Sequence, residues 1–156
     1  MYKRTASIAL VLLLLAPVAV SAVGQRGMNQ WRNQARAEMQ QVWQRIKADW
    51  GFGYAGDMVV GALNTGGYEH FEFDLVGHRE YLIKAICDGD CGNVDLYVYD
   101  RRNNLVGGND NPGNTPAVRL GTGHDGRYKI QASMVGCRVE PCFYAVQVFH
   151  RYRETP

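Results

Sequence analysis

At Asp57 the spacing of apolar residues changes from every third or fourth position to every second, and this divides the chain into a helical part and a strand-forming part. Before the switch, residues 27–50 (GMNQWRNQARAEMQQVWQRIKADW) carry an apolar stripe of Met28, Trp31, Ala35, Met39, Val42, Ile46 and Trp50. Gln, Arg, Glu and Lys fill the positions between, which predicts one amphipathic helix ended by Gly51-Phe52-Gly53. After it, short runs at 57–63, 68–75, 80–87, 94–100, 104–107, 116–120, 126–135 and 142–149 read as strands. Phe71, Phe73 and Leu75 share one face opposite Glu72 and Asp74; Tyr128, Ile130, Ala132 and Met134 oppose Lys129, Gln131 and Ser133. Half-buried strands broken by Asn, Asp, Gly and Pro clusters predict an all-β antiparallel sandwich, preceded by one α-helix.

The first 22 residues read as an export signal. Lys3 and Arg4 precede an apolar run from Ile8 to Val20, and Val20-Ser21-Ala22 offers small residues at a cleavage point. The run is short for a membrane span. The chain then divides into a signal peptide (1–22), an amphipathic helix (23–50), a sandwich domain (51–150) and a polar tail (151–156), with no transmembrane span after cleavage. Lys3 and Arg4 are two of 17 basic residues against 15 acidic, so the remainder is near neutral. Its basic groups gather in the helix and its acids in the sandwich, which argues against nucleic acid as a partner. Localisation is expected to be periplasmic or extracellular.

Cys87, Cys91, Cys137 and Cys142 all follow the signal, and an even count in an exported chain favours disulfides. Three pairings are possible; the spacing suggests the local loops Cys87–Cys91 and Cys137–Cys142. Zinc is the competing use of the same thiols, disfavoured in an oxidising compartment.

From Asp57 to Phe149 the chain resembles the bacterial pre-peptidase C-terminal (PPC) domain. The resemblance is carried by VVGALNTGGYEHFEF, YLIKAICDGDCGNVDLYVYD, TGHDGRYKIQASM and CRVEPCFYAVQV. It is most specific in D-L-Y-V-Y-D and in the strand beginning G-R-Y-K-I, and it departs at Gly77-His78-Arg79-Glu80, where the family has a smaller turn. The resemblance implies a jelly-roll-like sandwich that accompanies secreted proteins, binding or stabilising them, with calcium or polymeric substrates among the associations of the family.

Catalytic chemistry is sparse. Ser133 is the one serine beyond the signal and lies mid-strand, outside any G-x-S-x-G elbow. All four thiols have candidate partners, and His70, His78, His124 and His150 form no i,i+4 pair. His124-Asp125 reads as a turn before Gly126. The expectation is a non-enzymatic module recognising a protein or a polysaccharide.

Two features bear on recognition. Asp88, Asp90 and Asp95, with Asp100 and Asp110 further on, sit close enough in sequence to offer calcium several oxygens. Asp88, Asp90 and Asp95 are the candidate ligands and Asp110 an additional one, although such residues serve more often as turn formers. Tyr97 and Tyr99 form a candidate ligand surface, turned outward if Val94, Leu96 and Val98 fill the core. Trp50, Phe52 and Tyr54 are expected to seat the helix on the sandwich. The alternative function is a structural protein that docks a partner through the helix, or lays its basic, tryptophan-bearing face on a membrane.

Overall fold

The computed structural model describes the backbone of residues 20–152 and the side chains of 27–151. The proposed signal peptide lies almost wholly outside the described residues. Helix α1 (Val20–Trp50) is followed by nine strands: β1 (Gly53–Tyr54), β2 (Val59–Leu63), β3 (Tyr68–Leu75), β4 (Arg79–Cys87), β5 (Cys91–Tyr99), β6 (Leu105–Asn109), β7 (Ala117–Gly121), β8 (Gly126–Cys137) and β9 (Cys142–Tyr152).

The strands form two antiparallel sheets. One runs β1-β9-β4-β7, with β2 also paired to β9; the other runs β3-β8-β5-β6. Without the two-residue β1, the facing orders β2-β9-β4-β7 and β3-β8-β5-β6 are those of a jelly roll, because nearly every connection crosses between sheets. β1 and β2 lie end to end along one edge of β9, Gly53 opposite His150 and Val59 opposite Val146.

There are two cores. Between the sheets, Phe71, Ile83, Val94, Leu96, Val98, Ile130, Met134, Tyr144, Val146 and Val148 are buried. On the outer face of the β9–β4 sheet, Leu82, Ile86, Ala145 and Phe149 pack against Trp31, Ala35, Met39 and Ile46 of α1. The molecule thus has three layers: helix, sheet, sheet. The helix stops with Gly51 in the left-handed region (φ 69°), its N–H donating to the Lys47 carbonyl, so that Phe52 turns under the helix and is buried.

Two expectations need correction. Trp50 does not seat the helix; it is 45% exposed, and its ring is covered by the Arg119 guanidinium at 4.4 Å. Phe52 is buried, and Tyr54, though partly exposed, stacks on Trp43 and Phe149 at 5.0 and 5.3 Å. The polar tail does not begin after residue 150, because β9 continues to Tyr152. Arg151 is held there: its Nε donates to Glu80 Oε2 (2.8 Å) and its Nη1 to the Trp50 carbonyl at the helix end (3.3 Å). Pairing across β4 thus outweighs the polar composition of the segment.

The disulfides are Cys87–Cys91 and Cys137–Cys142. Cys87 ends β4 in one sheet and Cys91 begins β5 in the other, while Cys137 and Cys142 bracket the return crossing from β8 to β9. The two bridges are neighbours, since Cys91 is the cross-strand partner of Cys137. Arg138 N–H also donates to the Asp90 carbonyl (2.8 Å), tying one short loop to the other. Each bridge therefore staples a corner where the chain changes sheets. Loops this short restrict the unfolded chain by about 2 kcal/mol apiece. A Cys87→Ala/Cys91→Ala variant is expected to melt roughly 6–10 °C lower by circular dichroism; an unchanged midpoint would show that strand pairing alone fixes the corner.

Candidate functional site

Because α1 covers one outer face, the outer face of the β3-β8-β5-β6 sheet is the broad sheet surface left open. Its side chains follow from alternation. Val94, Leu96 and Val98 are fully buried between the sheets, so Asp95, Tyr97 and Tyr99 point the other way, as expected.

The strand registers then place residues from distant parts of the chain side by side. Asp95 lies opposite Ser133, which lies opposite Tyr68. Tyr97 is flanked by Gly108 on one side and by Gln131 and then His70 on the other. Tyr99 is followed by Lys129 and Glu72, and at the margin Arg127 faces Asp74. The face therefore carries three tyrosines and a histidine among hydrogen-bonding side chains.

These groups are wired together. His70 Nε2 and Gln131 Oε1 are 2.8 Å apart, and Gln131 Nε2 donates to Ser133 Oγ at 2.8 Å. Tyr68 meets His70 edge to face at 5.2 Å. The Tyr97 hydroxyl donates to Asp95 Oδ2 (3.3 Å) and Asn93 Nδ2 to Asp95 Oδ1 (3.4 Å), so the nearly buried Asp95 carboxylate is satisfied within the face. Burial and, after it, the neighbouring Asp95 charge hold the Tyr97 hydroxyl above its ordinary pKa. Lys129 Nζ lies 4.9 Å from the Tyr99 ring centre, and Arg127 bridges Glu72 and Asp74 at 3.3 Å each.

Tyr97 has a particular seat. A Cβ on Gly108 would lie 3.0 Å from Tyr97 Cδ1, so the ring leans across β6 over a position with no side chain. Gly108 is a signal that sequence reading passed over: a glycine in a strand, opposite an aromatic residue, marks where a ring lies over backbone.

The proposed calcium ligands are not brought together. Asp88 closes the β4–β5 corner, its Oδ2 accepting from the Phe143 N–H at 3.0 Å. Asp90 is exposed in that turn, Asp95 lies on the open face, and Asp110 is exposed beyond β6. Asp100 caps the β5–β6 turn, accepting from Asn104 Nδ2 and Asn104 N–H at 2.9 Å each and from Arg102 N–H at 2.8 Å; these bonds, the Asn104 side chain's first, hold its carboxyl below the usual range. Among the described residues, no group of three His, Cys, Asp or Glu side chains is placed to hold a metal ion. Asp125 ties the turn before β8 to the β3–β4 turn, accepting from the Gly77 N–H.

Among the described residues, no helix is long and apolar enough to cross a membrane. No family model matches the chain, and no curated protein is significantly similar to it.

Proposed function

We propose that this chain is an exported, non-enzymatic recognition module whose ligand surface is the open sheet face around Tyr97, and that its ligand is an extended polysaccharide. The observation that carries this reading is the combination of Tyr68, Tyr97 and Tyr99 with Gln131, Ser133, His70 and Asp95 on one sheet face. Aromatic rings stack on the apolar faces of sugar rings, and fixed donors and acceptors between them suit hydroxyl groups. A ligand with that alternation of apolar face and polar rim fits such a surface better than a purely apolar partner does.

The likeness to PPC domains supports the same reading, since the D-L-Y-V-Y-D strand carries the resemblance and also supplies Asp95, Tyr97 and Tyr99 of the site. The signal-like N-terminus and two disulfides support export to an oxidising compartment. Docking through α1 has less to offer, because Trp31, Ala35, Met39 and Ile46 are already buried on the sandwich and the outward face is polar.

The test is retention of the oxidised protein on insoluble peptidoglycan, chitin, cellulose and collagen, each with calcium and with EDTA. Retention is expected on one polysaccharide and not on collagen. Tyr97→Ala is expected to weaken it about thirtyfold, the effect of losing a central aromatic anchor worth about 2 kcal/mol. Retention abolished by EDTA would bring calcium into the interaction. Equal retention of wild type and Tyr97→Ala would remove the face from the reading.

A further inference from the structure

The charges on the open face are unevenly matched. Its cations stand at one end, Lys129 beside Tyr99 and Arg127 between Glu72 and Asp74. Asp95 stands two outward positions away from Tyr99 along β5, and among the described residues no Lys or Arg pairs with it. It is 9% exposed, and its partners are two neutral donors at long range, the Tyr97 hydroxyl at 3.3 Å and Asn93 Nδ2 at 3.4 Å. Its hydrogen-bonding capacity is met while its charge is not, a costly state for a carboxylate taken largely out of water. Asp110, exposed beyond β6, adds a second negative charge near the Tyr97 hydroxyl.

The Tyr97 ring lies next to this carboxylate, over Gly108, where β6 presents no side chain. A carboxylate beside an aromatic ring suits an organic ammonium, because the carboxylate takes the charge and the ring face attracts the cation. Calcium would need more oxygens, and among the described residues no three metal-binding side chains converge.

We propose, resting on the reading of this face as a polysaccharide site, that the polymer it takes carries free amino groups, an amino sugar stacking on Tyr97 with its ammonium against Asp95. Gln131 and Ser133 on the neighbouring strand, and His70 on the next, then meet hydroxyl groups of adjoining units. An acidic glycan would set like charge against Asp95 and Asp110, and a neutral one would leave Asp95 uncompensated. A lysine side chain from a protein would pair with Asp95 and leave that row of hydrogen-bonding groups unused.

The probes are soluble hexamers of glucosamine, N-acetylglucosamine and glucose, together with tetralysine. Each is titrated calorimetrically into the full oxidised protein, in a mildly acidic buffer that keeps the amines protonated. The glucosamine hexamer is expected to bind about tenfold more tightly than the other two hexamers, and tetralysine more weakly than any of them. Asp95→Asn, which keeps the shape and removes the charge, is expected to abolish that preference, and Asp110→Asn to reduce it about threefold. Asp110 is exposed, so its variant decides the matter should Asp95→Asn fail to fold. Equal affinity for the three hexamers, a preference unchanged in the deciding variant, or tetralysine binding as tightly as the glucosamine hexamer would each overturn the proposal. Tyr97→Ala separates it from the reading on which it rests. Hexamers that bind without an amine preference and weaken in Tyr97→Ala would overturn the amino-sugar assignment alone. Hexamers that bind no better than to Tyr97→Ala would overturn both.

Discussion

Removal of residues 23–50 is expected to abolish folding of the sandwich as a monomer. The β9–β4 sheet is built to be covered on both sides. Leu82, Ile86, Ala145 and Phe149 would be left facing water, with Phe52 beside them. Phe52, Leu82, Ile86 and Phe149 alone represent about 6–12 kcal/mol of lost burial, comparable with the total stability of about 5–15 kcal/mol expected of a domain this size. They also form one contiguous patch, the kind that drives association. The truncated chain should therefore emerge from size exclusion as aggregate, without near-ultraviolet circular dichroism. Trp31→Ala is a finer probe: it removes the ring nearest the start of the packed stripe and is expected to cost about 3–5 kcal/mol. Arg36→Ala, on the exposed side, should cost nothing measurable. A truncated chain that stays monomeric, with native near-ultraviolet signal, would show that α1 is an appendage and would return the helix to the role of a partner-docking element.

This coverage was legible in the sequence. β3 and β8 alternate cleanly because one of their faces meets water. YLIKAIC and CFYAVQVF do not; they are apolar at nearly every position, the mark of strands buried on both faces. Two strands of that kind beside one amphipathic helix imply that the helix lies on them. What sequence could not supply was register. Alternation turned Tyr97 and Tyr99 outward, but only the pairing of β3, β8 and β5 places Tyr68, His70, Gln131 and Ser133 beside them, from positions about 27–36 residues away along the chain. Strand β1 left no signal, being two residues long and defined by β9 alone. The acidic run from Asp88 to Asp95 was ambiguous for a related reason. Turn formers and calcium ligands share a composition, and the sheet change between β4 and β5 separates Asp88 from Asp95.

Gly61→Val is expected to be the most damaging single substitution in the sandwich. Gly61 lies on β2 directly opposite Tyr144, which is fully buried. A Cβ on Gly61 would lie 2.5 Å from Tyr144 Cζ and closer still to the hydroxyl oxygen. The ring passes over the glycine to reach Glu69 on the other sheet, to which its hydroxyl donates. Burial first, and that carboxylate second, hold the hydroxyl strongly protonated. Any side chain on Gly61 must therefore push β2 off β9 or drive Tyr144 out of the core and leave the Glu69 bond unmade. Overpacking of this kind costs about 1–3 kcal/mol when the core can adjust. Here the obstacle is a ring fixed at both ends, and valine should exceed that range; alanine should fall within it. Gly53→Ala, where an added Cβ meets nothing within 4 Å, is the neutral control. A double-mutant cycle isolates the cause: in a Tyr144→Leu background, Gly61→Ala should lose most of its effect, giving a coupling of about 1–2 kcal/mol in urea unfolding. Additive effects would mean that the space above Gly61 is not the one the tyrosine ring fills, and that the cost arises from the strand itself.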